Sequence, residues 1–498
     1  MQGSDPANAR TPTSGLHLST VWVGAALLVP ITLALGTISS VDLAYLVRAG
    51  QVMFDTGEVL RADVFTFTAW CEPWLNQQWG AELVAAGAFG ALGWLGLALL
   101  RVVLTVGVAA FVYAACRAHG AHRRTAAWLT LLASVLLLGG FQLRAQLFGL
   151  LLFAALRFIL AGRDRHPGRL WLAVPICVLW ANLHGSFPLA IALLLIASLE
   201  DRVAGRASGR RLLAVTALSV LATAVTPFGP RVWGYVVGVS TNPLIREVVL
   251  EWRPPGFATY TGVMFFASVA LALVVVFRNR RAMPWPAVAE LGLFLALAAS
   301  SSRNVFWWAI VLATTLSRLP WARSEPAADP RNRVNAFLLG VLAIVPLVSG
   351  ARWLPYRTAE APSSLIQHAP TRLTAELRSL LEVDEPFANA QSWGSWFELT
   401  LPGHPVFVDS RFEIVPAEAL QASITISEAN NGWEKELEAL PVRVLAVDRE
   451  TEPALVMALP SIDGWRQVYS DEAGLIVARE GAVPAAPLPA CGAVGRRT

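Results

Sequence analysis

Apolar stretches of membrane-spanning length run from about residue 18 to residue 350, and clusters of arginine separate every second pair of them. The loops between those clusters carry almost no positive charge. The clusters are Arg117/Arg123/Arg124, Arg163/Arg165/Arg169, Arg202/Arg206/Arg210/Arg211, Arg278/Arg280/Arg281 and Arg318/Arg323/Arg331/Arg333. Because arginine-rich loops remain on the cytoplasmic side of a membrane, this alternation predicts an orientation as well as a polytopic membrane protein.

The composition agrees with a membrane protein. The 498 residues are 55% hydrophobic and 15% charged, with a mean hydropathy of +0.52, whereas a soluble chain normally has about 25% charged residues. The net charge of +4 does not indicate a nucleic-acid partner, because the arginines fall at membrane edges where topology explains them.

The cysteines and short motifs indicate no cofactor. Cys71, Cys116, Cys177 and Cys491 are far apart and lack metal-ligand spacing. Two of them fall at or within predicted membrane segments, so we expect no disulfide framework. The sequence has no Walker loop, dinucleotide fingerprint, His-Glu-x-x-His or Gly-x-Ser-x-Gly element. A divalent metal ion is not excluded.

We predict about eleven membrane spans, each of about 20 mostly apolar residues. The first runs from about residue 18 to 40, and the others have centres near residues 105, 133, 154, 177, 192, 218, 268, 293, 311 and 342. With a cytoplasmic N-terminus, an odd number of spans places the C-terminal part outside. The predicted fold class is an α-helical polytopic membrane protein with a C-terminal α/β extracytoplasmic domain.

The chain divides into a membrane domain with two long outer loops and a soluble part. The last residues are rich in Ala, Pro and Gly, a composition typical of disorder. The predicted boundaries are a cytoplasmic tail at 1–17, a transmembrane domain at 18–350, outer loops at 41–94 and 227–257, a soluble α/β domain at 351–483 and a disordered tail at 484–498.

Local patterns predict elements within the first outer loop and the soluble domain. A helix begins at Leu43, residues 63–68 alternate like a strand, and residues 79–89 form a helix suited to the membrane interface. The soluble domain is predicted to contain helices at 371–381 and 417–426, strands at 406–408, 442–447 and 475–478, and a hairpin at 465–477.

Asp42 lies where the first span leaves the outer face. A carboxylate at that position could act as a general base facing a water-filled cavity. The alternative is structural, because Asp is a favoured N-cap residue and a helix is predicted to begin at Leu43. Both roles could hold for the same side chain.

Arg144 and Arg303 each stand alone at the outer ends of predicted spans, where positive charge is otherwise scarce. Ionisable groups at membrane depth are costly and usually face the protein interior or a cavity. A planar guanidinium binds phosphate bidentately, so the pair suits a phosphate at the membrane surface. The alternative is that each arginine extends towards lipid headgroups.

Further polar residues lie on the predicted outer side. His184 could bind an acceptor or handle a proton, or it could simply close a helix end before Gly185. Glu251 offers a second carboxylate in the second outer loop. Gln78, with Glu72 and Gln77, could bind sugar hydroxyls while Trp74 and Trp79 stack on a sugar ring, although an interfacial tryptophan belt also explains the aromatic residues.

Asp409-Ser-Arg411 follows a predicted strand in the soluble domain. We interpret this short motif as a structural salt bridge or turn rather than as part of a catalytic centre.

The first outer loop resembles that of the GT-C fold glycosyltransferases, a superfamily that includes protein O-mannosyltransferases and bacterial aminoarabinose transferases. The resemblance rests on Asp42-Leu-Ala-Tyr-Leu-Val-Arg-Ala-Gly, Phe65-Thr-Phe-Thr-x-x-x-x-Pro-Trp, Trp79-x-x-Glu82 and Gly93 to Arg101. The whole chain is similar to bacterial glycosyltransferase-like membrane proteins. The shared elements are Arg144-Ala-Gln-Leu-Phe, Asn182-Leu-His-Gly, Thr226-Pro-Phe-Gly, Glu251-Trp252 and Val406-Phe-x-Asp-x-Arg411.

The resemblance implies transfer of a sugar from a polyprenyl-phosphate carrier to a glycan, lipid or protein acceptor of the cell envelope. It places the enzyme in a bacterial inner membrane, with Asp42 at the position of the active-site carboxylate. Charge placement, rather than a family motif, assigns Arg144 and Arg303 to the donor phosphate. His184, Glu251, Gln78 and Trp79 are the candidates for lining the cavity and binding the acceptor.

One departure from the family pattern keeps other functions open. Many GT-C proteins have adjacent acidic residues in the first loop, whereas this chain has the single acid Asp42 between Val41 and Leu43. A single carboxylate also argues against a metal ion held by that loop, since a hard cation requires several oxygen ligands. The alternatives are a non-catalytic envelope-assembly subunit and a transporter of a lipid-linked precursor.

Overall fold

The computed structural model describes residues 16–206, 208–324, 331–484, 487–489 and 491. Most of the predicted N-terminal tail therefore lies outside the described residues. The helices are α1 Leu18–Ala34, α2 Leu43–Thr56, α3 Trp79–Ala118, α4 Arg123–Leu136, α5 Ala145–Ala161, α6 Ala173–Leu183, α7 Pro188–Val203, α8 Gly209–Ala222, α9 Arg231–Thr241, α10 Pro243–Val248, α11 Tyr260–Arg278, α12 Trp285–Ser300, α13 Val305–Leu316, α14 Asn332–Ala351, α15 Thr371–Leu380, α16 Gly394–Thr400, α17 Ala417–Ser427, α18 Trp433–Ala439 and α19 Pro453–Ala458. The strands are β1 Ile38–Ser39, β2 Ile366–Gln367, β3 Ala388–Asn389, β4 Val444–Asp448, β5 Trp465–Ser470 and β6 Gly474–Arg479.

A helix lies at each position where a span is predicted. Among the described residues, α3, α11 and α14 are long and apolar enough to cross a membrane by length and composition. The other helices at these positions are shorter, so the number of eleven crossings stays a prediction.

Helix α3 consists of two arms joined by a bend. Its 40 residues correspond to about 60 Å of helix, roughly twice the thickness of a hydrocarbon core. The backbone leaves helical geometry at Leu92 and Gly93, where Gly93 has a φ of +56°. A Cβ at Gly93 would collide with the backbone of Thr358, so the bend requires glycine. The first arm corresponds to the helix predicted at 79–89.

The ends of the helices form two separate groups of contacts. At one end, Arg163 binds Asp201 at 2.8 Å and Arg318 binds Glu200 at 2.9 Å, so the arginine-rich loops meet each other. At the other end, the side chain of Arg61 donates to the carbonyl oxygen of Pro227 at 3.2 Å, which joins the two long loops. This grouping agrees with the alternation of charge in the sequence.

The predicted strand at residues 63–68 is wrong. In that segment Thr66 forms only an isolated parallel bridge with Val406. The backbone N–H of Val406 donates to Phe65 at 2.9 Å, and that of Phe67 donates to Val406. The alternating segment therefore pairs with a single residue of the C-terminal region. One bridge is too short to form a ladder of strands. The strand predicted at 406–408 is wrong for the same reason.

The C-terminal region forms a four-stranded sheet in the order β3-β4-β6-β5. Strands β3 and β4 are parallel, whereas β6 pairs antiparallel with both β4 and β5. Strands β4 and β6, the hairpin formed by β5 and β6, and helices α15 and α17 confirm the other elements predicted for this region.

One hydrophobic core continues from the membrane helices into the C-terminal region. The ring of Trp94 at the start of the second arm of α3 stacks on Trp396 of α16, with centroids 6.1 Å apart. Strand β1, which follows α1, pairs in parallel with β2. The C-terminal region is therefore packed directly on the end of the helices that carries the two long loops.

A disulfide between Cys71 and Cys491 contradicts the expectation that the cysteines would not pair. Trp70 also donates to the carbonyl oxygen of Pro489 at 2.8 Å. Both contacts hold the end of the chain on the first outer loop, so the prediction of a disordered tail fails at residues 489 and 491. Residues 485, 486, 490 and 492–498 lie outside the described residues. Cys116 and Cys177 remain free thiols.

We predict that two of the four cysteines resist alkylation until the protein is reduced. Unfolded without reductant, the protein should take up two alkyl groups, at Cys116 and Cys177, and after reduction it should take up four. Intact mass spectrometry counts the additions. In the Cys177→Ser control the counts should be one and three. Four additions before reduction would exclude the disulfide.

Candidate active site

Three segments distant in sequence meet at Arg144. Its Nε lies 3.1 Å from Oδ2 of Asp42, and its Nη1 lies 2.7 Å and 2.9 Å from the two carboxylate oxygens of Glu251. Asp42 directly precedes α2, Arg144 directly precedes α5, and Glu251 lies in a short 3₁₀ turn of the second outer loop. We call Asp42, Arg144, Glu251 and Arg303 the outer cluster.

The side chain of Asp42 does not cap α2. Although Asp42 holds the N-cap position, its φ and ψ are −96° and −25°, and its carboxylate accepts no hydrogen bond from the helix. The carboxylate is directed to Arg144 instead. The structural alternative of an N-cap is therefore wrong. Oδ1 of Asp42 has no hydrogen-bond partner among the described residues, and the side chain is 27% exposed.

The two carboxylates stabilise the charge on Arg144. Burial lowers the pKa of Arg144, but the adjacent Asp42 and Glu251 outweigh burial and raise it above its ordinary value. For Glu251, burial raises the pKa, while Arg144 and then Arg303 lower it by more, so this pKa lies below its ordinary value. Arg144 is thus paired with two carboxylates.

Arg303 completes the outer cluster. Its Cζ lies 5.5 Å from the centre of the Trp252 ring, and its Nε donates to Oε1 of Gln146 at 3.3 Å. The neighbouring Ser301 hydroxyl donates to the carbonyl oxygen of Glu251 at 3.0 Å, which fixes this turn against the second outer loop. The two terminal nitrogens of Arg303 have no hydrogen-bond partner within the described part of the chain. These nitrogens are available as hydrogen-bond donors.

His184 ends α6 and is held in its own turn. Its Nδ1 accepts from the backbone N–H of Ser186 at 3.2 Å and lies 2.7 Å from the Ser186 hydroxyl. Burial, followed by the charge of Arg303, lowers the pKa of His184 to about 3, so the ring is neutral. Because Nδ1 is an acceptor, Nε2 carries the proton. His184 is therefore hydrogen-bonded within the turn that closes the end of α6. The charge of Arg303 affects its pKa, so His184 lies near the outer cluster.

Gln78 and Trp79 lie beside the same region. Gln78 donates to the hydroxyl of Tyr45, and Trp79 donates to Oδ1 of Asn182 at 2.8 Å. Both side chains are half-buried. Trp74 is different, because it is 2% exposed and packs against a buried arginine, so the hypothesis that it stacks on a sugar is wrong.

Sequence reasoning missed several residues of this region. Tyr45 follows Asp42 by three positions and therefore lies on the same helical face. Burial, followed by the charges of Asp42 and Glu413, raises the pKa of Tyr45. Glu413 accepts from the hydroxyl of Tyr235 at 3.2 Å, and burial raises its pKa. Helical spacing could have identified Tyr45, but no local signal points to Glu413.

A second charged group lies buried between the first outer loop and the C-terminal region. The guanidinium of Arg411 binds Asp63 at 2.8 Å, Glu398 at 3.4 Å, and Asp409. Its Cζ also lies 4.8 Å from the centre of the Trp74 ring. We call Arg411 and its three carboxylate partners the buried junction. The interpretation of Asp409-Ser-Arg411 as a structural salt bridge is confirmed.

The pKa values of two carboxyl groups in the buried junction shift in opposite directions. Burial, followed by the charge of Asp409, raises the pKa of Glu398 well above its ordinary value. For Asp409, burial raises the pKa, but the charge of Arg411 lowers it by more, so this pKa lies below its ordinary value. The hydroxyl of Ser410 donates to the carbonyl oxygen of Val41 at 3.0 Å, which connects the junction directly to the residue before Asp42.

The described residues contain no group of three or more His, Cys, Asp or Glu side chains arranged to hold a metal ion. In the outer cluster, Asp42 and Glu251 both face the guanidinium of Arg144. The guanidinium of Arg144 lies between these two carboxylates.

Comparison with known proteins identifies the fold. No protein-family model and no curated protein matches the sequence. The chain resembles the apo oligosaccharyltransferase of Archaeoglobus fulgidus with a TM-score of 0.50 and 12% identity, covering 93% of this chain and 75% of that chain. It resembles ArnT from Cupriavidus metallidurans with a TM-score of 0.52 and 14% identity, covering 92% of this chain and 97% of that chain. Both are GT-C fold glycosyltransferases, and this chain has the GT-C fold.

We predict that Arg411→Met destabilises the protein by about 3–5 kcal/mol, because it leaves buried carboxylates without their partner. Unfolding of the purified protein by denaturant measures the loss. The exposed Arg449, which contacts Ser470 and the backbone of Asp471, provides the matched control, and Arg449→Met should change the stability by less than about 0.5 kcal/mol. Equal effects of the two variants would contradict a structural role for the junction.

Proposed function

We propose that this GT-C fold chain is a membrane glycosyltransferase that moves a hexose or pentose from a polyprenyl-phosphate carrier to a cell-envelope acceptor on the outer face of the membrane. The acceptor is a glycan, a lipid or a protein. One observation carries the proposal: Asp42, which lies at the end of the first predicted span, is paired with Arg144, which Glu251 also binds. A second arginine with unused donors, Arg303, lies beside this group.

Two independent observations support the proposed orientation in a bacterial inner membrane. The arginine-rich loops that meet at one end of the helices are the ones expected in the cytoplasm. At the opposite end, a disulfide joins Cys71 to Cys491, and disulfides persist in oxidising compartments such as the bacterial periplasm. The proposed orientation therefore places the N-terminus inside, with the outer cluster and the C-terminal region outside.

Asp42 is proposed as the general base. Its Oδ2 is bound to Arg144, while Oδ1 is available to accept a hydrogen bond from an acceptor hydroxyl. As the acceptor oxygen attacks the anomeric carbon, its proton passes to the Asp42 carboxylate. The bond between that carbon and the phosphate oxygen breaks, and the polyprenyl phosphate leaves with the electron pair. The proposal invokes no cofactor.

The two arginines have different proposed roles, although charge placement alone assigned both to the donor phosphate. The charge of Arg144 is shared by Asp42 and Glu251, so its main role is to position the base. Arg303 is oriented by Gln146 and Trp252 through contacts that leave its terminal nitrogens available. A guanidinium with free donors suits the developing charge on a departing phosphate.

His184, Gln78 and Trp79 are proposed to line the acceptor side. Nε2–H of the neutral His184 can donate a hydrogen bond, and it adds no charge next to Arg303. Gln78 and Trp79 already donate to Tyr45 and Asn182. Their remaining polar and aromatic surface is suited to a sugar, because it combines hydrogen-bonding groups with an apolar ring.

One observation favours a non-catalytic membrane subunit as the second candidate. Both carboxylates of the outer cluster bind the same guanidinium, an arrangement that would also serve to join α2, α5 and the second outer loop. A subunit of this kind would retain the cluster for structure alone.

We predict that Asp42→Asn lowers sugar transfer by on the order of 10²–10⁴-fold, because it removes the proton acceptor. The assay follows release of polyprenyl phosphate from a panel of polyprenyl-phosphate sugars, with an envelope fraction supplying acceptors. Asp55→Asn changes an exposed acid on the same helix and should retain full activity. Native mass spectrometry should show polyprenyl phosphate bound to both variants. Unchanged envelope glycosylation in cells carrying Asp42→Asn would support the non-catalytic subunit.

We predict that Arg303→Gln raises the KM for the donor by about 10-fold or more, since a charge-assisted hydrogen bond is worth about 1.5–3 kcal/mol. Steady-state kinetics over a range of donor concentrations measures this change. Arg253→Gln removes an exposed arginine from the neighbouring loop and should leave the KM unchanged. An equal increase in both variants would indicate a general effect of surface charge rather than phosphate binding by Arg303.

A further inference from the structure

A cleft of about 380 Å³ lies at the end of the helices opposite to the outer cluster. It is formed by the C-terminal ends of α3 and α5 together with the short connection that follows α5. This end is the one where the arginine-rich loops meet, so the cleft faces the predicted cytoplasmic leaflet. None of its lining residues belongs to the proposed site.

The charged residues of the cleft are all basic. Arg117, Arg165, Arg169 and His166 line it, and no carboxylate does. Each of these four side chains is exposed. Arg117 and Arg165 donate only to backbone carbonyl oxygens, those of Ala121 and Ala118. Their charge is therefore not neutralised within the described part of the chain.

Neighbouring arginines on the same side are different. Arg163 binds both Asp201 and Glu200, and Arg318 binds Glu200. These ion pairs satisfy the arginines that join the loops to each other. The arginines that line the cleft have no carboxylate partner among the described residues, so their arrangement leaves a concentrated positive charge available to an anion.

The remaining wall of the cleft is apolar. Tyr113 and Ala114 of α3 and Phe158 and Ile159 of α5 line it, and these residues lie at the ends of membrane helices. The cleft thus combines basic donors at its cytoplasmic rim with an apolar wall that continues towards the hydrocarbon region. A phospholipid has the same order of groups, with a phosphate followed by its acyl chains.

We propose that this cleft binds the phosphate headgroup of an anionic phospholipid of the cytoplasmic leaflet. Arg117, Arg165 and Arg169 contact the phosphate, while the apolar wall contacts the glycerol and the start of the acyl chains. Each arginine near an anionic lipid contributes roughly a fivefold preference, so three of them give a preference of about 100-fold over a zwitterionic lipid.

The experiment compares lipid binding to the full-length protein by native mass spectrometry. The protein in detergent is titrated with phosphatidylglycerol and with phosphatidylcholine. The unsubstituted protein should retain phosphatidylglycerol with about 100-fold preference, and the triple variant Arg117→Gln/Arg165→Gln/Arg169→Gln should lose that preference. The matched control, Arg278→Gln/Arg280→Gln/Arg281→Gln, removes the same charge from another loop on the same side and should keep it.

Two further measurements separate lipid binding from loss of folding and from binding of a free phosphate. The side chain of Arg169 makes no hydrogen bond within the described residues, so Arg169→Gln should reduce the preference about fivefold without affecting folding. Soluble glycerol phosphate, which lacks acyl chains, should compete weakly if the occupant is a lipid. Equal loss of preference in the cleft and control triple variants, or equal binding of glycerol phosphate and phosphatidylglycerol, would overturn the proposal.

Discussion

The guanidinium of Arg144, shared by two carboxylates, is the interaction on which the outer end of the molecule depends. It joins the residue before α2, the residue before α5 and the second outer loop. Ionised groups at the edge of a membrane are tolerated only when they are paired or face water. The arrangement satisfies both requirements, because Asp42 and Glu251 bind Arg144 and the group stays partly exposed. The same group leaves Oδ1 of Asp42 and the terminal nitrogens of Arg303 without a partner among the described residues.

The buried junction extends this principle to the C-terminal region. Arg411 is enclosed by aromatic rings and by carboxylates from two segments far apart in sequence. Such a group is costly to bury unless every charge has a partner, so it specifies one arrangement of the C-terminal region on the first outer loop. The buried junction and the continuous hydrophobic core together hold the C-terminal region in one position beside the outer cluster.

The sequence predicted the parts of the structure that depend on long periodic signals or on isolated charge. Helix positions follow from hydropathy, and Asp42, Arg144 and Arg303 stood out because charge is scarce near predicted outer ends. Their partners could not be predicted, since pairing between residues 42, 144 and 251 is set by tertiary packing. The segments at 63–68 and 406–408 have the sequence pattern typical of strands, yet they pair with each other at a single bridge. The local sequence does not reveal how far such pairing extends.

The disulfide between Cys71 and Cys491 has a consequence for the order of assembly. The bond joins two cysteines that are 420 positions apart in the sequence. Every helix from α3 to α19 lies between them. Synthesis proceeds from the N-terminus, so the covalent ring can close only after all of those helices have left the ribosome and Cys491 has reached the compartment of Cys71. Oxidation of this pair therefore distinguishes chains whose insertion is complete from chains arrested at any earlier stage.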